Sequence, residues 1–220
     1  MRPARVRYHR RVKLSRRTLG AAALGLTALA SVAFFVLGGR GVSTAEIMAV
    51  RPDDVTIGGA AAPITVVVYY AFTCADCAEF HRATLPGVRA RWIDTGRVRL
   101  VYRDLPQSDL DLEISTLSRC LGGLQKDRYL TWLNLLFHRQ SQWAFAREPL
   151  AVLQAYATET DFAGFDRFQV CQGNPATESV VLEAAERARG FGVRAVPALF
   201  VNGRRAGAGN LDQLLAELAR

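Results

Sequence analysis

The chain has 220 residues, half of them hydrophobic, which is enough to bury a core in one domain with or without an insertion. Its formal net charge of +8 comes from residues 1–17, because removing the eight arginine and lysine residues there from the total of 28 leaves 20 basic against 20 acidic residues. The rest of the chain is therefore neutral, which argues against a surface that binds nucleic acid.

An uncharged segment, residues 18–39, follows the basic start. A basic region, an apolar region and the small residues Ser43-Thr44-Ala45 are typical of an export signal that is cut after Ala45. The apolar stretch also has the roughly 20 residues of a transmembrane helix, so retention as a membrane anchor is the alternative, and an amphipathic or core helix is a third interpretation. Residues 15–19 (SRRTL) resemble a twin-arginine export signal. In the first two cases the basic end stays in the cytoplasm and the rest of the chain crosses the membrane.

The next segment predicts two strands joined by a helix. Residues 46–62 form a leader, with turns marked by its glycines and by the proline that follows. Residues 64–72 (ITVVVYYAF) predict a strand that is buried on both faces, because the apolar run is continuous. A helix is expected from Cys74 to about Asp94, bent or broken near Pro86-Gly87, followed by a second strand at residues 98–105.

A long helical region separates these strands from the end of the chain. Apolar residues recur at helical spacing in LEISTLSRCLGGL, YLTWLNLLFHRQ, PLAVLQAYATE and SVVLEAAERARGFG. VRAVPALFVNGRRAGAG then predicts a strand, a turn at Asn202-Gly203 and a return strand. The final residues, LDQLLAELAR, predict an amphipathic helix.

This order of elements, with the cysteine pair Cys74 and Cys77 at the junction of the first strand and its helix, is that of an α/β thioredoxin-like fold with an inserted helical domain. The predicted organisation is an export signal or membrane anchor in residues 1–45, a first thioredoxin-like part in 46–106, a helical insertion in 107–190 and a second thioredoxin-like part in 191–220.

Two cysteines, Cys74 and Cys77, lie three residues apart at the junction of the first strand and its helix. In an exported protein an even number of cysteines favours disulfides. A tetrahedral zinc site is disfavoured because Cys120 and Cys171 are far apart in sequence and form no second close pair. Two core cysteines that fall at this spacing by chance are the alternative.

A proline, Pro197, marks the start of the later strand, where its missing N–H costs the sheet no hydrogen bond. In the thioredoxin fold such a proline is cis and faces the cysteine pair, and the backbone beside it, here Val196, pairs with the chain of the substrate. These residues are the predicted substrate-binding site.

The sequence resembles the DsbA family of bacterial thiol–disulfide oxidoreductases, and especially its exported branch with a second cysteine pair. The resemblance covers residues 54–218 and rests on the motifs IGGAAAPITVVVYYAFTCADCAEFH, VRLVYRDLP and GVRAVPALFVNG. It implies that Cys120 and Cys171 form a structural disulfide; two free cysteines are the alternative. Val196 fits the oxidase type better than the threonine that is typical of disulfide isomerases.

The positions of the two catalytic cysteines predict their roles. Cys74 begins a helix, where free N–H groups and the helix dipole favour a thiolate, so we expect a lowered pKa and assign it as the attacking sulfur. Cys77 lies one turn further in and resolves the mixed disulfide.

Two positions depart from the family pattern. Val68 stands where the family usually has a buried acid that helps to deprotonate the resolving cysteine. Asp76 stands between the cysteines where the strong oxidases carry histidine, and its carboxylate opposes the Cys74 thiolate, so Asp76 is a pKa-tuning residue. His81 lies near the same helix face as Cys77 and is a candidate base, although the resemblance implies ordinary helix surface; His138 is expected to pack or to lie on the surface.

The predicted function is to introduce disulfide bonds into folding proteins. The implied partners are exported substrates that contain cysteine and a DsbB-type, quinone-linked membrane oxidase, with membrane attachment through residues 18–39 if the segment is retained. The location is the periplasm, in soluble form or anchored to the inner membrane, and no cofactor or metal is expected. The alternatives are a reductase or isomerase of the same fold, and a non-enzymatic exported binding module with only structural disulfides.

Overall fold

A computed structural model describes residues 44–123 and 125–220. The expected export signal or anchor therefore lies outside the described residues, apart from Thr44 and Ala45. No helix within these two ranges combines the length and the apolar character that crossing a membrane requires.

The described residues form one mixed sheet of five strands. In chain order the strands are β1 (Val55–Ile57), β2 (Ile64–Tyr70), β3 (Val98–Asp104), β4 (Ala198–Val201) and β5 (Arg204–Ala206). Their order in the sheet is β1-β3-β2-β4-β5, with β2 and β3 parallel and the other pairs antiparallel. The continuous apolar run of β2 is explained by its central place, where both faces are covered.

Helices flank this sheet and fill the long interval between β3 and β4. In chain order the helices are α1 (Thr44–Met48), α2 (Ala75–Glu79), α3 (Leu85–Val88), α4 (Asp109–Gly122), α5 (Lys126–His138), α6 (Gln140–Trp143), α7 (Pro149–Glu159), α8 (Phe165–Cys171), α9 (Pro175–Gly190) and α10 (Leu211–Leu218). The predicted α/β class with a helical insertion is confirmed, because α4 to α9 interrupt the sheet between β3 and β4.

The two faces of the sheet belong to two hydrophobic clusters. Val66, Val68 and Tyr70 alternate along β2 towards one cluster, which also contains Cys77 and much of the inserted helices. Val67 and Tyr69 point to the other cluster, which includes residues of α9. The insertion thus supplies core to both faces.

Two local features differ from the expectation. The segment from 46 to 62 is not only a leader, because it contains β1 and the end of α1. The helix after the cysteine pair is not broken at Pro86: π turns at Phe80–Thr84 and Arg89–Ile93 flank α3 and continue it to residue 93. Pro86 is tolerated because it directly follows the first π turn, where the Leu85 N–H bonds the Phe80 carbonyl oxygen and the regular i→i−4 ladder is already interrupted.

The hairpin between β4 and β5 forms at the predicted turn. Asn202 and Gly203 both have positive φ, 45° and 87°, as a tight hairpin turn of this type requires. The Asn202 side chain accepts a hydrogen bond from the Thr65 N–H at 2.9 Å and so anchors the turn to β2.

Candidate active site

The cysteine pair lies where β2 ends and α2 begins. Cys74 is the N-cap of α2, and its sulfur accepts a hydrogen bond from the Cys77 N–H at 3.0 Å. The two cysteines form a disulfide, with their Cα atoms 5.2 Å apart. Cys74 is half-buried whereas Cys77 is 1% exposed, so only the first sulfur is open to a large partner.

Strand register brings the predicted substrate-binding residues to the same edge of the sheet. β4 runs antiparallel to β2 with Ala198 opposite Tyr69, so the residue before β4, Pro197, lies level with the end of β2. The Val196–Pro197 peptide bond is cis. Both residues are half-buried, and Val196 packs against both hydrophobic clusters. Their contact with substrate stays a prediction.

Two side chains of the helical insertion hold the segment from Phe72 to Cys74, and sequence reasoning missed both. The Gln140 amide nitrogen donates to the carbonyl oxygens of Phe72 and Cys74, at 2.7 and 2.9 Å. The carboxylate of Asp111 accepts a hydrogen bond from the Thr73 N–H at 2.8 Å. Because the donors and acceptors come from α4 and α6, the insertion fixes the backbone that presents Cys74.

The sequence carries a partial signal for Asp111 and none for Gln140. Ser108 and Asp111 stand three residues apart at the start of α4, as in a capping box, and the Ser108 oxygen does accept from the Asp111 N–H at 3.1 Å. The Asp111 carboxylate, however, binds groups outside α4, because it accepts from the Thr73 N–H and from the Gln107 N–H. Gln140 follows an apolar helix and resembles an ordinary residue of a helix end.

Asp76 lies in the first turn of α2, one residue before Cys77, and its side chain is exposed. Its position near the start of the helix agrees with the expected location. Its influence on Cys74 stays a prediction.

His81 corrects an expectation, because the resemblance implied helix surface and the residue is only 3% exposed. Its ring stacks on Phe137 of α5, with ring centres 4.2 Å apart, and on Tyr102 of β3 at 5.5 Å. The helical segment that contains His81 is covered on two sides, by the sheet and by α5. Its buried face is therefore wider than that of a surface helix.

The burial of His81 also decides against a role as a base. Burial, with a smaller contribution from the charge of His138, lowers the pKa of His81 to about 3. Such a weak base is a poor proton acceptor for a thiol. His138 itself is exposed, and its ring contacts the Asn134 carbonyl oxygen.

Cys120 and Cys171 form the second disulfide, with Cα atoms 5.3 Å apart. The bond joins the end of α4 to the end of α8, and the alternative of two free cysteines is not observed. Cross-linking residues that are 51 positions apart constrains the unfolded chain, which in a chain-entropy model stabilises the fold by about 4 kcal/mol.

Val68 is buried in β2, so the acid that the family usually has there is replaced by an apolar side chain.

A buried carboxylate, Asp104, ends β3 and is fully inaccessible to solvent. It accepts from the Tyr70 hydroxyl at 2.8 Å and from the Arg119 guanidinium, and Tyr129 contacts the same hydroxyl. Burial and the nearby Asp104 raise the pKa of Tyr70 well above its usual value, so its hydroxyl keeps its proton and donates.

Comparison with known proteins agrees with this geometry. The sequence model described as thioredoxin matches residues 51–218. A Rickettsia typhi protein named as a proposed protein-disulfide oxidoreductase is 23% identical over 162 residues, which are 74% of this chain and 59% of that protein. The chain therefore spans about three fifths of the length of such relatives.

Two solved structures share the fold. The crystal structure of Wolbachia pipientis alpha-DsbA1 superposes with a TM-score of 0.72 and 22% identity, over 80% of this chain and 96% of that one. Oxidised BdbD from Bacillus subtilis gives a TM-score of 0.67 and 17% identity, over 76% and 91% of the two chains. The predicted thioredoxin-like fold with inserted helices, which these structures share, is thus confirmed, and the chain belongs to the thioredoxin family.

Proposed function

We propose that the protein is an exported thiol–disulfide oxidoreductase that introduces disulfide bonds into folding proteins. The observation that carries the proposal is the unequal exposure of the Cys74–Cys77 disulfide at a helix start, because it leaves one sulfur open to attack and shields the other. The family and the relatives named as protein-disulfide oxidoreductases support the same activity.

The chemistry proceeds by two thiolate attacks. A substrate thiolate attacks the Cys74 sulfur, the bond to Cys77 breaks, and Cys77 leaves as a thiolate and takes up a proton. A second thiolate of the same substrate then attacks the substrate sulfur that is bonded to Cys74. The substrate disulfide forms, and Cys74 is released as a thiolate. The substrate loses two electrons and two protons, and the protein disulfide becomes a dithiol.

The geometry around Cys74 favours the direction of oxidation. The Cys77 N–H bonds the Cys74 sulfur, and the start of the helix provides positive potential there, so the released thiolate is stabilised. A stable reduced form makes the disulfide a stronger oxidant. Val196 before the proline is consistent with an oxidase.

The sequence supports the proposed cellular setting. The basic start and the uncharged residues 18–39 support export to the periplasm, as a soluble protein or with an inner-membrane anchor. The reduced form then needs reoxidation, for which we propose a DsbB-type, quinone-linked membrane protein. The substrates are exported proteins with cysteines.

A reductase or isomerase of the same fold is the second candidate, and Asp76 favours it. A carboxylate in the first turn of α2 opposes a thiolate at the helix start and moves the pair towards a more reducing potential. Equilibration with glutathione distinguishes the two: an oxidase is expected near the roughly −120 mV of strong oxidants, and a reductase near the roughly −270 mV of thioredoxin.

The Cys77→Ala variant is expected to accumulate mixed disulfides through Cys74, because no resolving sulfur remains. Cys74→Ala is expected to trap few, since its remaining sulfur is buried. Acid-quenched samples with a reduced, unfolded substrate and oxidised glutathione are compared on non-reducing gels. Equal trapping by the two variants would contradict the assigned roles, and trapping by neither would favour a binding module with structural disulfides.

The Asp76→His variant is expected to have a lower Cys74 pKa and a more oxidising disulfide. At a separation of roughly 5–8 Å, removing the repulsion changes the thiolate energy by about 0.5–3 kcal/mol, and the exposure of Asp76 favours the lower part of that range. The reduction potential should therefore rise by about 10–60 mV. Thiolate absorbance against pH and the glutathione equilibrium measure both effects, and an unchanged pKa or a potential that falls would show that the Asp76 carboxylate points away from the Cys74 sulfur.

A further inference from the structure

Asp111 brings a buried carboxylate to the backbone beside the nucleophile. The residue is fully inaccessible to solvent, and its Oδ1 accepts the Thr73 N–H at 2.8 Å, directly before Cys74 in the chain. Its Oδ2 accepts from the Gln107 N–H at 3.2 Å and from the Ser108 hydroxyl at 3.1 Å. All three donors are neutral groups, two of them backbone amides.

The other buried carboxylates of the described residues are each matched by a cation. Asp104 pairs with Arg119, and Asp54 pairs with Arg103. Among residues 44–123 and 125–220, Asp111 forms no such ion pair, so its hydrogen bonds stabilise the carboxylate without cancelling its charge. The potential of that charge therefore reaches the neighbouring Cys74 through buried protein and is poorly screened by water.

We propose that Asp111 is a positioning residue of the redox site: it holds the Thr73 amide and, through its buried charge, keeps the proton affinity of Cys74 higher than the helix start alone would set it. A thiolate that is less stable makes the reduced form less favourable, so Asp111 also makes the Cys74–Cys77 disulfide a weaker oxidant. The insertion thereby sets the redox strength of a cysteine pair that lies outside it, where α2 follows β2.

Covalent geometry sets the size of the effect. Thr73 directly precedes Cys74, so the chain keeps the charge within roughly 10 Å of the Cys74 sulfur, and the size of the effect follows for a separation of about 8 Å. With an effective dielectric constant of about 20–60, the repulsion corresponds to a change of about 3- to 30-fold in the proton affinity of the thiolate. Above the pH at which Cys74 titrates, the equilibrium with glutathione changes by the same factor.

The test is Asp111→Asn in the full chain, with Asp111→Ser as a second variant if asparagine prevents folding. Asparagine keeps the oxygen that accepts the Thr73 N–H and removes the charge. The expected result is a Cys74 thiolate that binds its proton about 3- to 30-fold less tightly and a glutathione equilibrium shifted by a similar factor towards the reduced protein. Absorbance of the thiolate against pH and alkylation of glutathione-equilibrated protein give the two readouts.

Asp109→Asn is the matched control, because Asp109 is a solvent-exposed acid in the same first turn of α4. Its removal changes the formal charge equally, and water screens its effect on Cys74. Asp111→Glu keeps the charge and is expected to stay near the wild-type proton affinity. A purely structural role would instead leave Asp111→Asn near the wild-type values and shift Asp111→Glu, because asparagine keeps the shape and the accepting oxygen. Equal values for Asp111→Asn, Asp109→Asn and the wild-type protein would overturn the proposal.

These readouts do not depend on the direction of electron flow in the cell. A protein that proved to be a reductase would show a low absolute potential, yet the difference between Asp111→Asn and Asp109→Asn would persist. A strongly oxidising wild-type potential with no such difference would retain the proposed function and refute the role of Asp111.

Discussion

Replacing Arg119 with methionine is expected to lower the free energy of unfolding by about 3–5 kcal/mol, because it leaves the Asp104 carboxylate buried without its cation. Burial alone would lower the pKa of Arg119, but Asp104, with smaller contributions from Tyr129 and Tyr70, more than offsets burial and raises it, so the guanidinium is charged in the folded protein. The same side chain also donates to the Asp53 carbonyl oxygen at 2.9 Å. One substitution therefore removes several partners at the junction of α4, β3 and the chain before β1.

Urea unfolding of the oxidised protein measures this loss. Arg89→Met is the control, since the Arg89–Asp94 pair is more than half exposed on both sides and should contribute about 1 kcal/mol or less. Adding Asp104→Asn to Arg119→Met should recover part of the stability because the uncompensated charge is then gone. Equal losses for Arg119→Met and Arg89→Met would mean that Asp104 is not stabilised by this pair.

The stability of the protein is expected to fall below pH 6.5 because of His81. The folded-state pKa of about 3 lies below the unfolded value of 6.5, so the unfolded chain binds a proton in this range and the folded protein does not. Stability is therefore complete above pH 6.5 and is lost as the pH falls towards 3. The loss attributable to this residue is about 2 kcal/mol at pH 5 and about 4–5 kcal/mol at pH 3.

His81→Phe isolates this effect, since phenylalanine preserves a ring that can stack on Phe137 and carries no titrating group. The difference in unfolding free energy between the variant and the wild-type protein should grow as the pH decreases, while the contributions of the carboxylates cancel. His138→Gln replaces an exposed histidine and should leave the pH dependence nearly unchanged. Parallel stability curves for His81→Phe and the wild-type protein between pH 6.5 and 4 would contradict the expectation.

The sequence predicted those parts of the fold that depend on local patterns. The continuous apolar run of β2, the helical spacing of the insertion and the Asn202-Gly203 turn each have a short-range physical cause. The cysteine pair was recognised for the same reason, because its spacing and its place before a helix are visible in one window.

Residues whose surroundings come from distant segments were missed or misjudged. Gln140 and Asp111 matter through the backbone of residues 72–74, which lies far away in sequence, and no periodicity encodes such a contact. His81 was expected on the surface because the sequence of a helix shows which of its residues are polar, but not which other elements cover them. The ring of Phe137, which covers His81, belongs to another element. The strand β1 is too short to give a pattern of its own.

The hydrogen bonds of Gln140 and Asp111 to the segment before Cys74 bear on how such proteins can be divided and recombined. The inserted helices are contiguous in sequence, which suggests a cassette that could be deleted or exchanged between relatives. Yet the cassette supplies the amide and the carboxylate that hold the backbone of Phe72, Thr73 and Cys74. A chimera that keeps the sheet and the cysteine motif but receives foreign helices would lose these contacts. The backbone before its cysteine pair would then be held differently. The unit that must be kept together for the redox site thus includes Asp111 and Gln140 of the insertion, and its limits do not coincide with the ends of the insertion.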